Sequence, residues 1–298
     1  MKILLFGKHG QLGWELNRTL QCLGQVLSYD LPEVDFMKPR SLRQRIQDFK
    51  PRIVVNAAAY TDVDGAEIER DRAKTINSEA PGLIARLCRA SGASLIHYST
   101  DYVFDGKKGT PYFEDDPPNP LNVYGQTKLD GERAVMAEGG TSLIFRTAWV
   151  YSLRRDCFVT KVLRWSKTRS EIRVVDDQVS NPTWARHLAE ITALLLANAV
   201  RRGSRPVSEF GGIYHLAGWG MASRLQWAKS ILGLIDESPG REVPPVRPAK
   251  SGDFPAPAAR PALSALDCGK FFETFGLRLP DWEMSLRLAI EEISGLTT

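Results

Sequence analysis

Residues 2–16 read KILLFGKHGQLGWEL, and this stretch decides the fold class. The continuous apolar run at residues 3–6 predicts a strand that is buried on both faces. Gly7, Gly10 and Gly13 follow in a G-x-x-G-x-x-G pattern that leads into leucines at helical spacing. Glycine lets a backbone approach a diphosphate closely, and a helix N-terminus offers unpaired amides to that anion. The stretch therefore predicts a dinucleotide-binding turn, although a plain strand-to-helix turn also uses glycine.

Strand-like and helix-like segments alternate through the first half of the chain. Short apolar runs predict strands at residues 3–6, 26–29, 53–55, 95–98 and 143–145. Helical patterns lie between them, at residues 10–22, 39–49, a stretch that reaches about residue 90, and 124–136. This alternation predicts an α/β fold with a doubly wound, Rossmann-like parallel sheet and right-handed crossovers.

The second half of the chain has a different pattern. Its predicted elements are helices at 158–167, 184–200 and 286–293, a strand at 172–174, and a proline-rich ordered loop or extended segment at 239–261. We expect a dinucleotide-binding domain at residues 1–150 and a smaller, substrate-binding C-terminal lobe at residues 151–298. Helix 184–200 is expected to pack back on the first domain.

Asp30 ends the second predicted strand, where a carboxylate can accept hydrogen bonds from an adenosine ribose. It could instead stabilise a turn before Pro32. An acidic residue there repels a 2′-phosphate, so Asp30 favours NADH as the cofactor while NADPH stays open. Small residues at 56–59, Asn-Ala-Ala-Ala, follow the third strand and leave space for a ligand at that edge of the sheet.

A reacting centre is predicted where the fourth strand ends and the next helix begins. Thr100 lies at that strand end, and Tyr124 and Lys128 are four residues apart, so on a helix they share one face. A neighbouring ammonium would lower the pKa of the Tyr124 phenol, which could then give a proton to a carbonyl oxygen. Thr100 could donate a hydrogen bond to the same oxygen. Isolated Tyr-x-x-x-Lys pairs also occur by chance.

Composition and charge exclude several classes of protein. The 298 residues include 39 basic and 35 acidic side chains with no basic block, so we expect no nucleic-acid partner. No apolar tract is long enough for a membrane span, and the first residues do not resemble a secretory signal. The four cysteines have no metal-ligand or redox spacing, which favours a reducing, cytoplasmic location.

The glycine turn, the strand-ending Thr100 and the pair of Tyr124 and Lys128 together resemble the extended type of the short-chain dehydrogenase/reductase superfamily. A narrower resemblance, to the dTDP-4-dehydrorhamnose reductase family, rests on a set of strings that occur in order. The set is LLFGKHGQLGWEL, VVNAAAYTDVDGAE, HYSTDYVFDG, PLNVYGQTKLDGE, FRTAWVY, SNPTWA and, at residues 255–267, PAPAARPALSALD. Most single strings would be ambiguous among nucleotide-sugar enzymes, whereas the set is specific.

The resemblance implies reduction of the 4-keto group of dTDP-4-dehydro-L-rhamnose by NADPH or NADH, giving dTDP-L-rhamnose. Tyr124 is the implied proton donor, with Lys128 and Thr100 as the other catalytic residues. The implied cofactor contacts, added to Gly7 and Gly13, are Gly10, Gln11, Leu12, Asp30, Asp35, Phe36, Ala59, Tyr60, Thr61, Tyr98 and Lys128.

The implied substrate contacts are Thr100, Asp101 and Trp149. Trp149 could cover a sugar face, or it could pack in the core beside Phe145. Arg260 is a candidate for the substrate diphosphate because a guanidinium fork matches phosphate oxygens. Arg260 could equally be a solvated surface side chain.

The chain departs from the family's pattern at three places. Residues 151–158 lack the usual glycine- and asparagine-rich character, and Ser180 replaces a usual glycine. Some members bridge a homodimer through magnesium held by glutamates. Glu15 fits one ligand, but Arg186 stands where those members have glutamate, and a guanidinium opposes a cation. We therefore expect no metal, while a homodimer stays open.

Two other functions are compatible with the sequence. One is an epimerase or dehydratase that acts on another nucleotide sugar, and Asp101 beside the strand-ending threonine keeps the dehydratase open. The other is a non-catalytic regulatory subunit, a role that homologues of this reductase serve for methionine adenosyltransferase. The Thr100, Tyr124 and Lys128 set favours catalysis over the regulatory role.

Overall fold

The computed structural model describes residues 1–200, 207–236 and 243–294. Its strands are β1 (Lys2–Phe6), β2 (Gln25–Tyr29), β3 (Ile53–Asn56), β4 (Ser94–Thr100), β5 (Ser142–Thr147), β6 (Val150–Tyr151), β7 (Ile172–Val175), β8 (Val179–Ser180), β9 (Thr183–Trp184), β10 (Gly212–His215), β11 (Ala222–Ser223) and β12 (Val246–Ala249). Its α-helices are α1 (Gln11–Thr19), α2 (Pro39–Phe49), α3 (Val63–Ile68), α4 (Arg70–Lys74), α5 (Ala80–Ser91), α6 (Val123–Ala137), α7 (Phe158–Thr168), α8 (Ala185–Val200), α9 (Arg224–Asp236), α10 (Gly269–Phe275) and α11 (Trp282–Ser294).

Six strands form one parallel sheet in the order β10-β5-β4-β3-β1-β2. The strand order reverses beside β1, and in such sheets a ligand crevice opens at the carboxyl ends of the strands at that point. Residues 3–6 are fully buried, as expected for a strand covered on both faces. The predicted doubly wound α/β fold is confirmed.

Helices cover both faces of this sheet and make two apolar cores. One core joins β1, β3, β4 and β5 to α1, α8 and α10, and includes Leu16, Phe145 and Leu188. The other joins the opposite sheet face to α2 and α5 through Leu42 and Ile84. The predicted helix that reaches residue 90 is a series of shorter ones, in which a π-helical turn at Thr75–Glu79 joins α4 to α5.

The expected division at residue 150 does not follow the sheet. Strand β10, from the second half of the chain, pairs in parallel with β5, and α10 packs beside it. Helix α8 packs along α1, where the Thr19 hydroxyl donates to the carbonyl of Ala189 at 3.4 Å. The sheet domain therefore includes three later segments, β10, α10 and α8. Without them, the edge of β5 and one face of the sheet would stay exposed.

The remaining segments of the second half form a lobe with its own core, which includes Tyr151, Trp227 and Leu286. Here β7 pairs in parallel with β12, the central part of the predicted proline-rich extended segment. Residues 239–242 of that predicted segment lie outside the described residues. The predicted last helix corresponds to α11.

Candidate active site

A cleft of about 720 Å³ lies at the carboxyl ends of the sheet strands and extends to the second lobe. Residues predicted for the site share this cleft. Those in its lining are Gly7, Gly10, Gln11, Leu12, Asp30, Ala59, Thr61, Tyr98, Thr100, Asp101, Tyr124, Lys128 and Trp149. The topology therefore brings together side chains that are up to 142 residues apart in sequence, from Gly7 to Trp149.

The glycine turn is shaped by two constraints on its backbone. Gly7 has a φ of 91°, a left-handed conformation that a larger residue rarely adopts. A Cβ atom on Gly13 would lie 1.8 Å from the carbonyl oxygen of Gly7, so α1 can pack against the turn only with glycine there. Gly13 therefore shapes the turn from beneath and does not line the cleft.

The start of α1 fits a bound dinucleotide. Gly10 is its N-cap and offers no side-chain acceptor, so no side chain caps the first-turn amides. The Gln11 Oε1 atom is buried without a hydrogen-bond partner among the described residues. Open amides and an unsatisfied polar atom at the cleft are suited to a phosphate-containing ligand with hydroxyl donors.

Asp30 follows β2 and faces the same turn. Its Oδ2 atom accepts from the backbone amide of His9 at 2.9 Å, and Oδ1 accepts from the amide of Leu31 at 2.9 Å. A carboxylate has about four acceptor positions, so further ones are available to ribose hydroxyls. The turn and the end of β2 are thus held in register by the same residue that lines the cleft.

Tyr124 lies in the first turn of α6, which Asn122 caps by accepting from the amide of Gly125 at 2.7 Å. The Tyr124 phenol lies beside the Thr100 hydroxyl at the end of β4. Burial raises the pKa of Tyr124 above its ordinary value, and the nearby Asp101 and Tyr102 raise it further. The phenol is therefore protonated at neutral pH and is placed to act as an acid.

The expectation that Lys128 lowers the pKa of Tyr124 is wrong for this structure. The Lys128 ammonium is buried and donates to the backbone carbonyl of Tyr98 at 2.6 Å. Burial lowers the pKa of Lys128 to about 8, and the Glu132 carboxylate opposes that shift. Helical spacing predicted the shared face, whereas the depth of burial, which spacing does not report, sets both pKa values.

A buried ion pair lies one helical turn beyond Lys128. Arg146 donates to Glu132 at 2.7 Å from Nη2 and 3.0 Å from Nε, and the Ser99 hydroxyl donates to Glu132 at 2.5 Å. All three side chains are almost fully buried. The network ties α6 to β4 and β5, and so fixes Lys128 relative to the strand ends.

Asp101 is a buried carboxylate that accepts hydrogen bonds from hydroxyl groups of the second lobe. Ser264 donates to its Oδ2 atom at 2.5 Å and Ser180 at 2.9 Å, while Thr100 donates to Oδ1 at 3.2 Å. Burial raises the pKa of Asp101 to about 6 in spite of these bonds. Ser180, the residue that departs from the family's glycine, is therefore one of the links between the two lobes.

Trp149 forms the wall of the cleft toward the second lobe, and its backbone has a φ of 40°, which is uncommon for a large residue. The Arg224 guanidinium carbon lies 3.6 Å from the centroid of its ring, and the Trp227 ring stacks beside it at 5.6 Å. Burial lowers the pKa of Arg224 to about 10, which nearby Tyr102 and Asp101 oppose. These contacts hold the Trp149 ring in its strained position.

Several predicted site residues lie outside the cleft lining. The phenol of Tyr60 donates to Glu69 at 2.6 Å, and Phe36 is buried edge-on against Phe6. Asp35 accepts from the amide of Met37 at 2.9 Å. These three side chains are engaged locally, and the structure does not bring them to the cleft.

Arg260, the predicted ligand of the substrate diphosphate, is also outside the lining. Both arms of its guanidinium donate to Asp64, at 2.8 and 2.6 Å, and this bidentate pair joins the second lobe to α3. The ion pair lowers the pKa of Asp64. The fork that was expected to bind phosphate is already occupied by a carboxylate.

Several residues at the site are not predicted by any local pattern in the sequence. Behind the cleft lining, Arg224 packs on the Trp149 ring and Ser264 donates to Asp101. The lining itself also includes Ser99, Thr147, Ala148, Val150, Arg155 and Asp156. Arg155 and Asp156 belong to the segment that departs from the family's pattern, and this departure was the available signal. Nothing local marks Arg224 or Ser264, since their partners are distant in sequence.

Arg186, which replaces an expected glutamate, is surrounded by carboxylates. Its guanidinium lies 3.7 Å from Glu15 and forms an ion pair with Glu292. Within residues 1–200, 207–236 and 243–294, no group of three metal-ligating side chains is found. In the same part of the chain, no helix has the length and apolar character needed to cross a membrane.

Comparisons with known proteins place the chain among nucleotide-sugar enzymes. The family model described as RmlD substrate binding domain matches residues 1–294. The dTDP-4-dehydrorhamnose reductase of Burkholderia thailandensis is 43% identical over 297 residues, covering 98% of this chain and 99% of that protein.

Two solved structures have closely similar folds. A dTDP-4-dehydrorhamnose reductase from Clostridium acetobutylicum matches with a TM-score of 0.89 and 33% identity, covering 99% of this chain and 100% of that one. The enzyme of the same name from Bacillus anthracis, solved in complex with NADP, matches with a TM-score of 0.88 and 32% identity, covering 98% and 99% of the two chains.

Proposed function

The chain belongs to the dTDP-4-dehydrorhamnose reductase family, and from this premise we propose how its cleft performs the reaction. The protein is an oxidoreductase that uses NADPH or NADH to reduce the 4-keto group of dTDP-4-dehydro-L-rhamnose, giving dTDP-L-rhamnose. One observation carries the assignment of catalytic residues: Tyr124, Thr100 and buried Lys128 line the same cleft as the glycine turn.

The cofactor occupies the part of the cleft formed by the glycine turn, the start of α1 and the end of β2. The first-turn amides near Gly10 and Gln11 hold its diphosphate, and Asp30 accepts from its adenosine ribose. The bound cofactor supplies the hydride. Asp30 presents a negative charge to this ribose, which favours NADH over NADPH, and the Kd of each cofactor measures that preference.

Tyr124 gives its proton to the 4-oxygen of the sugar. A phenol whose pKa is raised by burial keeps that proton at neutral pH until negative charge develops on the neighbouring oxygen. The Thr100 hydroxyl, whose single proton points to Asp101 in the free protein, turns to donate to the same oxygen when the sugar is bound. The ammonium of Lys128 binds the nicotinamide ribose and adds positive charge beside the reacting centre.

The sugar lies against Trp149, on the side of the cleft formed by the second lobe. A flat, fixed indole offers a surface to the apolar face of a deoxysugar. Asp101, anchored by Ser180 and Ser264, borders the same space and accepts from sugar hydroxyls. The glycine turn, Asp30 and Lys128 of the sheet domain thus bind the cofactor, and substrate binding depends on the second lobe.

The function is tested by mixing the purified protein with dTDP-4-dehydro-L-rhamnose and either NADPH or NADH. Loss of the reduced-nicotinamide absorbance should depend on the dTDP-keto-sugar, and a UDP-linked keto-sugar should compete poorly. A protein that retains bound NAD⁺ and consumes no reduced cofactor would indicate an epimerase instead. Capture of a partner enzyme together with absent turnover would indicate a regulatory subunit.

The rate of reduction is expected to fall as the pH rises above about 8, the pKa of Lys128. Below that pH the side chain is an ammonium, and above it an uncharged amine, so kcat/KM should drop roughly tenfold for each further pH unit. The measurement is a pH profile of kcat/KM. Lys128→Arg is the control. A guanidinium stays charged, so the decrease of kcat/KM above about pH 8 should be absent from the activity that this variant retains. An identical alkaline limb in that variant would contradict the assignment.

The location and assembly extend this proposal. The cytoplasm is the proposed location, which four cysteines without disulfide bonds support. A small dTDP-sugar is the proposed partner of the cleft. A homodimer remains a prediction of the family resemblance, and sedimentation of the purified protein would measure it.

A further inference from the structure

The loop between β6 and α7 joins the second lobe to the glycine turn at two points. The Arg155 Nη1 atom donates to the backbone carbonyl of His9 at 2.8 Å, although the two residues are 146 positions apart. The guanidinium carbon of its neighbour Arg154 lies 3.3 Å from the centroid of the Trp14 ring in α1. His9 lies within the glycine turn, so the loop reaches the place where α1 begins.

The backbone of this loop is held by local hydrogen bonds. The carbonyl of Ser152 accepts from the amide of Arg155 at 3.3 Å and from the Cys157 thiol at 3.6 Å. The amide of Cys157 donates to the Thr160 hydroxyl at 2.8 Å, which fixes the start of α7. The Arg155 side chain is exposed, whereas these hydrogen bonds fix the backbone on either side of it.

Arg155 supplies positive charge to the cleft. Among the described residues that line it, two are basic, Lys128 and Arg155. The adjacent carboxylate of Asp156 is paired with Arg164 at 3.3 Å and with Lys161 at 3.7 Å. In the part of the chain that the structure describes, Arg155 has no carboxylate within ion-pair distance, and its contact with His9 uses one of five N–H donors.

We propose that Arg155 binds the diphosphate of the dinucleotide cofactor, on the side opposite the first-turn amides of α1. A guanidinium fork matches two phosphate oxygens, and its contact with His9 places it at the glycine turn. Arg154, stacked on Trp14, positions the loop and takes no part in binding. The inference rests on the proposed function for the identity of the cofactor. It assigns to this chain a phosphate ligand in the segment that departs from its family's pattern.

The test compares the affinities of two diphosphate ligands, NADPH and dTDP, by isothermal titration. Arg155→Gln should raise the Kd of NADPH about 10- to 100-fold, the range for losing a hydrogen bond to a charged group. The Kd of dTDP should change less than twofold, because the substrate subsite lies toward Trp149. Arg155→Lys should give an intermediate Kd for NADPH, since it keeps the charge and loses the fork.

Arg247→Gln is the matched control, because it removes an exposed arginine of the same lobe that pairs with Glu171 away from the cleft lining, and it should leave both affinities unchanged. An unchanged Kd of NADPH in Arg155→Gln would overturn the inference, and so would a loss of dTDP affinity with NADPH affinity intact. Wild-type protein that binds neither NADPH nor NADH would instead overturn the proposed function itself, and the inference with it. Thermal unfolding of each variant verifies that the exposed substitution leaves the fold intact.

Discussion

Tyr124→Phe is expected to lower kcat by about 10²- to 10⁴-fold, the usual contribution of general acid catalysis. The change removes only the phenol oxygen beside Thr100. Without it, no protein group donates a proton to the 4-oxygen when hydride reaches the adjacent carbon. The ring remains in place against Tyr102, at 5.9 Å between centroids, so the shape of the cleft should persist.

The measurement is single-turnover reduction of the keto-sugar, together with the Kd of NADPH, which should stay within about threefold of the wild-type value. Tyr214→Phe is the control, because its hydroxyl donates to the carbonyl of Phe210, away from the cleft lining. That variant should retain its rate. Near-normal turnover in Tyr124→Phe would remove this tyrosine from the mechanism.

Arg146→Met is expected to destabilise the fold by about 3–5 kcal/mol, the range for breaking a buried ion pair on one side. It leaves the carboxylate of Glu132 buried, with the Ser99 hydroxyl as its remaining side-chain donor. The loss is measured as the free energy of unfolding in urea, extrapolated to water. The double variant Arg146→Met/Glu132→Gln should recover part of it, because the carboxylate that Arg146→Met leaves unpaired is then absent.

An exposed ion pair provides the comparison. Arg86 donates to Glu138 at 2.8 Å on the surface, and Arg86→Met should cost less than about 1 kcal/mol. Equal small losses in Arg86→Met and Arg146→Met would show that the network of Glu132 does not fix α6 on the sheet. The position of Lys128 would then need another explanation.

The parts of the site that the sequence predicted depend on local spacing. Gly7 and Gly10 lie between a buried strand and a helix, and Tyr124 and Lys128 share a helix face, so a few adjacent residues specify each feature. Asp30 and Thr100 end parallel strands, which places them at one edge of the sheet. For these residues the secondary structure alone is enough to bring the side chains together.

The features that could not be predicted depend on contacts between distant segments. The fork of Arg260 is bound by Asp64, which is 196 positions away, and no local pattern indicates that pairing. Strand β10 is four residues long, and its place beside β5 follows from packing rather than from its own sequence. The raised pKa of Tyr124 reflects the packing around its partly buried ring, which the spacing to Lys128 does not determine.

The central claim is that hydride passes to C4 of the sugar while Tyr124 supplies the proton. The most direct test uses NADPH with deuterium at either of the two C4 positions of its nicotinamide, followed by NMR of the nucleotide-sugar product. The account predicts deuterium at C4 of the sugar with one label and none with the other. A product that carries no deuterium with either label, or no product from the dTDP-keto-sugar, would contradict it.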